Sequence, residues 1–153
     1  MSRDPELRAA AGALAAALAE LHKVAMEAAA AAYERERGPI GGRVRLLELL
    51  MGDAFFAWLR PLSGLMADLD EGLDDTTPLD DAAGGDLRAA TEALLDRPGA
   101  LHDGLHPLLQ DDTNLVLASG AVRRALAALP ATAREGDPRA RWNTRRRKRG
   151  RLN

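Results

Sequence analysis

The sequence predicts an all-α protein: a four- or five-helix bundle with a long N-terminal helix and a proline-kinked second long helix. Three observations support this. Apolar residues recur at alternating spacings of four and three over two long runs, as on the buried face of a helix. Clusters of Gly, Pro and Asp punctuate the chain between those runs. No stretch alternates apolar and polar residues long enough to make a strand.

The first helix starts at Asp4-Pro5-Glu6. That triplet supplies a capping acceptor, a residue with no N–H to leave orphaned, and an acid on the positive end of the dipole. Leu7, Ala11, Leu14, Leu18, Leu21, Ala25, Ala28 and Ala32 then form one heptad seam, which Gly38-Pro39 ends. Its second half presents only Ala, so a partner helix can approach closely there. After a loop at Gly41-Gly42, Val44, Leu46, Leu47, Leu49 and Leu50 predict a short, very apolar helix stopping near Gly52. Asp53 is placed to cap the next helix.

In that helix Phe55, Leu59, Leu62, Met66, Leu69 and Leu73 again alternate by four and three, straight through Pro61. Pro61 cannot donate to the carbonyl of Ala57, so one helix bent at the proline is expected. Residues 74–85 are rich in Asp, Thr, Pro and Gly and read as the main internal loop, with Asp86 capping a helix that Pro98-Gly99 breaks. Leu101, Leu105, Leu108 and Leu109 lie on a short piece interrupted by Pro107. A last helix starts near Asp112-Thr113, carries Leu115, Val122, Leu126 and Leu129, and ends at Pro130.

With 153 residues the chain fits one helical domain, residues 1–129, followed by a basic, disordered tail, residues 130–153. The charge is divided accordingly: the first part carries −9 and the tail +7. Cysteine is absent, which excludes disulfides, thiolate metal sites and Cys nucleophiles. The Ala-rich start has the look of a signal peptide, but Asp4 and Glu6 put acid where a positive start is required. Glu20, His22 and Lys23 interrupt the same stretch before it reaches the length of a membrane span. No transmembrane segment and a cytoplasmic location are expected.

Phe55, Phe56 and Trp58 are three of five aromatic residues, and they fall within four positions. One α-helical face cannot bury all three. Phe55 and Leu59 belong to the seam, whereas Phe56, Trp58 and Arg60 lie off it beside the proline. Trp and Arg are the types most enriched at interface hot spots, so these three form the candidate surface for a protein partner or a homodimer. The acids that follow, Asp68, Asp70, Glu71, Asp74 and Asp75, lack the spacing of a calcium loop and read as a solvated face paired with Arg123 or Arg124.

His102 and His106 stand four apart, and His22 on the first helix would complete a three-nitrogen metal set of the kind built inside bundles. In the tail, Arg141, Arg145, Arg146, Arg147, Lys148 and Arg149 are placed to neutralise phosphates, and Trp142 to stack on a base. Salt-sensitive nucleic-acid contact is the second functional reading. An arm folded back on the chain's own acidic body is a competing one. Enzyme chemistry has no motif behind it. Ser2, Ser63 and Ser119 sit in no nucleophile elbow, and Gly38-Pro39-Ile40-Gly41-Gly42 lacks the Lys and spacing of a phosphate loop. No cofactor is implied.

The segment FFAWLRPLSGLMADLDE at residues 55–71, with Gly41-Gly42 and Ala121-Val122-Arg123-Arg124-Ala125-Leu126, resembles small uncharacterised bacterial helical proteins. The resemblance covers most of residues 14–129, implies no activity, and leaves the tail outside.

Overall fold

The computed structural model describes residues 3–131 and 134–150, with side chains as far as residue 145 in the last helix. Among them are seven α-helices, one 3-10 helix and no strand. The protein is all-helical, as its periodicity requires. The helices outnumber the four or five expected because breaks at Gly, Pro and Asp leave several short ones.

Helix α1, Asp4–Arg37, buries Leu7, Ala11, Leu14, Leu18, Leu21, Val24, Ala25 and Ala29 against α6 and α3. The heptad seam holds as far as Ala25 and then shifts to Ala29, leaving Ala28 and Ala32 half-exposed. A straight helix repeats every 3.6 residues, so a strict seven-residue stripe drifts off the contact line within a few turns. Asp4 does not cap the helix. It begins it, and its carboxylate accepts from the Leu79 N–H (2.6 Å) and from Arg8 Nε (3.1 Å). Arg8 in turn donates to the carbonyls of Leu73, Asp75 and Thr77, so the internal loop is fastened to the first two turns of α1. By length and composition α1 would also pass as a membrane span. A core helix passes the same test, and the leucine stripe of this one is covered by its neighbours.

Helix α2, Arg43–Gly52, is followed by the 3-10 helix Ala54–Leu59 and then by α3, Arg60–Asp74. The segment expected as one helix bent at Pro61 is thus a 3-10 helix that runs directly into α3. Asp53 does cap, accepting from the Phe55 N–H at 2.8 Å, but the turn it opens is a 3-10 turn. Pro61 falls in the first turn of α3, where its missing N–H costs no hydrogen bond. A repeat of three rather than 3.6 puts Phe56, Leu59 and Leu62 on one line, and all three are buried. Phe55 moves to the half-buried flank.

Helix α4, Asp81–Asp96, starts five residues before the predicted cap, with Asp80 accepting from the Ala83 N–H at 2.8 Å. Asp86 is instead a buried charge inside it. Helix α5, Ala100–Leu109, runs through Pro107, and α6, Thr113–Ala127, is capped by Asp112 through the Leu115 N–H as its sequence predicts. A seventh helix, α7, Pro138–Gly150, occupies the expected disordered tail and packs on α4 and α3. What orders it is a set of partners on the body that the tail's own composition does not reveal.

Candidate functional site

Four places merit description: the aromatic corner, the outer face of α2, the histidines, and the seat of α7. At the corner, Tyr33 of α1 meets Phe55 edge-to-face at 5.4 Å and Phe56 at 5.6 Å, and the Arg37 guanidinium lies 5.4 Å from the Tyr33 ring centre. Phe56 is wholly buried, so it belongs to the core. Trp58 is half-buried over α5, where a Cβ on Gly104 would stand 2.3 Å from the indole. Arg60 is exposed, but it donates to the carbonyls of Leu50 (3.4 Å), near the end of α2, and Asp53 (3.0 Å), which also accepts the Phe56 N–H. The predicted trio thus fixes α2, α3 and α5 together. Tyr33 and Arg37 escaped the sequence reading, although they continue the i+4 row from Ala29.

The exposed apolar surface lies one element earlier. On α2, Val44, Leu47 and Met51 are 74%, 57% and 73% exposed, and their spacing of three and four puts them on one face. Leu49 is the buried residue of this helix, against the 3-10 helix that is its main support. Arg45 and Glu48 flank the stripe and pair with each other at 3.3 Å.

The three histidines do not converge. His22 Nε2 shares a 2.9 Å hydrogen bond with Ser63 Oγ, and burial holds its pKa below the ordinary 6.5. His102 donates from Nδ1 to the Leu95 carbonyl at 2.9 Å and stacks on His106, ring centres 5.8 Å apart. Among the described residues no group of three or more His, Cys, Asp or Glu is arranged to hold a metal.

The tail residues turn inward. Arg139 Nε donates to Asp68 at 2.6 Å and Arg141 Nε to Asp86 at 2.9 Å; Arg134 reaches the other Asp86 oxygen at 3.1 Å. Arg145 stands 3.9 Å from Asp80. Two guanidiniums thus balance the charge of Asp86. Trp142 is 5% exposed and donates from Nε1 to the Asp68 carbonyl at 2.9 Å.

Gly64, Asp68 and Gly72 form one i+4 row on α3 that receives α7. A Cβ at Gly64 would stand 3.0 Å from Arg139, and one at Gly72 would stand 2.3 Å from the Trp142 ring. Two glycines on one stripe, with an acid between them, were the available sequence signal for a close-packed helix. The acidic stretch therefore faces the tail in part, while Arg123 pairs with Asp96, which raises its already high pKa. Arg146, Arg147, Lys148 and Arg149 continue α7; their side chains lie outside the described residues. No protein-family model matches the chain, and no curated protein or solved structure is significantly similar to it.

Proposed function

We propose that this chain is a helical-bundle interaction module, acting in the cytoplasm, that pairs with a second copy through the outer face of α2. The observation that carries the reading is the stripe Val44, Leu47 and Met51, three large apolar side chains more than half exposed on one helix face. The face is self-complementary. In an antiparallel pairing about Leu47, Val44 meets Met51 of the other copy, and Glu48 lies beside its Arg45, so an exposed pair within one helix is exchanged for pairs between two. The aromatic corner contributes rigidity: Arg60 and the buried Phe56 hold the base of α2.

One ten-residue helix offers less than the roughly 800 Å² per partner of a standard interface, so the dimer is weak and concentration-dependent. Sedimentation of the intact protein over a rising concentration series tests this. Wild type is expected to shift from monomer to dimer. Leu47→Asp is expected to stay monomeric with unchanged helicity and a stability within about 0.5 kcal/mol of wild type. A wild type that is monomeric throughout, or a Leu47→Asp protein that dimerises as well as wild type, would sink the proposal.

A further inference from the structure

We infer that α7 is a releasable arm for single-stranded nucleic acid, held in check by carboxylates of the same chain that occupy the places of phosphates. The inference rests on the seat of α7 and is independent of the α2 face. Along the inner side of α7, Arg139, Arg141 and Arg145 meet Asp68, Asp86 and Asp80. An arginine fork binds carboxylate and phosphate oxygens by the same geometry, so each of these contacts has a direct counterpart on a phosphate backbone. Trp142, the one large aromatic residue of α7, fills the notch at Gly72 with the Arg145 guanidinium 5.6 Å from its ring. Guanidiniums for phosphates and an indole for a base are the components of a single-strand platform. Here they are already engaged by the protein's own surrogate.

The arm is built to come off. Its hold combines the buried Trp142 ring with ion pairs, and the Arg139 and Arg145 pairs are partly exposed, so salt and competing anions weaken them. Clefts of about 590 Å³ and 450 Å³ flank α7. The first is lined by Asp80, Ala83, Asp86 and Arg141, the second by Leu65, Leu94 and Arg139. Beyond Arg145 the sequence adds Arg146, Arg147, Lys148 and Arg149, four more cations in an unbroken run. A lipid surface is the poorer match, because α7 has a single large apolar side chain to insert.

Docking and nucleic-acid binding compete for the same groups, so the apparent affinity is reduced by the fraction of molecules with the arm seated. Gly72→Ala separates the two without altering any charge: it strengthens α3 locally and puts a methyl where the Trp142 ring lies. The experiment is titration of the full chain with a fluorescent oligodeoxythymidylate of about 20 nucleotides, with phosphatidylserine vesicles as a parallel arm. Wild type is expected to bind weakly, and Gly72→Ala on the order of tenfold more tightly, with Trp emission shifted to the red before any ligand is added.

Asp68→Asn, which keeps the main-chain carbonyl that accepts from Trp142, is expected to fall between them. Equal affinity in wild type and both variants, no binding by any of the three, or stronger retention on vesicles than on the oligonucleotide would each overturn the inference.

Discussion

Each of the chain's two tryptophans fills the space left by a glycine on another helix, Trp58 at Gly104 and Trp142 at Gly72, with the same 2.3 Å clearance to a hypothetical Cβ. Their surroundings differ. Around Trp58 lie Phe56 and Leu59, both buried, on a 3-10 helix continuous with α3 and packed on α1 and α5. Around Trp142 lie Arg–Asp pairs, on a helix preceded by residues 128–131 and 134–137, none of them helical. Local fit is therefore equal, but coupling to the rest of the fold is not. Apolar contacts tie the half-buried Trp58 to the core, whereas the buried Trp142 ring sits among ion pairs, of which those of Arg139 and Arg145 reach the surface where salt screens them.

The largest effect is expected where the apolar notch is filled. Gly104→Ala must displace Trp58 against the 3-10 helix, and overpacking of this kind costs about 1–3 kcal/mol. Urea denaturation should show that loss for the whole cooperative transition. In Gly72→Ala the same added methyl should leave the transition of the body within about 0.5 kcal/mol of wild type. Equal losses in the two variants would break the distinction between the two sites.

A smaller effect belongs to the body alone. His22 is held below its ordinary pKa of 6.5 by burial, so the unfolded chain takes up its proton first. Stability is then full above that ordinary value and declines as pH falls through it toward the folded-state pKa. Denaturation midpoints at pH 7.5 and 5.5 should show a decline that is smaller in His22→Asn. An identical decline in both proteins would remove His22 as its source.

The all-helical class was legible because it is written in local terms. Leu7 to Ala25 keep one alternating spacing over five turns, and Asp53 and Asp112 stand two and three residues before the N–H groups they accept from. Features that depend on a choice between similar local geometries were less legible. Whether Phe55 or Phe56 is buried turns on a helix repeat of 3.6 or three, and both fit the same apolar residues around Pro61. Asp86 resembled a cap because its partners, Arg134 and Arg141, lie 48 and 55 positions away.

At the candidate sites, too, side-chain type was legible and placement was not. Arg141 and Arg145 read equally as phosphate contacts and as an arm folded on the acidic body, and in the structure they pair with carboxylates of the same chain. Phe56 and Trp58 lie off the α-helical seam, which reads as a free surface, but bulky aromatics are also what a small core selects. The exposed face of α2 lay hidden because apolar residues fall on more than one side of the helix, and its packing on the 3-10 helix decides which side is covered.

Native-state amide hydrogen exchange of the intact protein at low and high salt tests most directly the claim that ion pairs contribute more to the seat of α7 than to the packing of the body. Protection of α7 should fall steeply as salt rises from about 0.05 M to 1 M, where the screening length shortens to about 3 Å, while α1, α5 and the 3-10 helix keep theirs. Protection of α7 that is unchanged by salt, or lost only together with that of α1, would contradict the account.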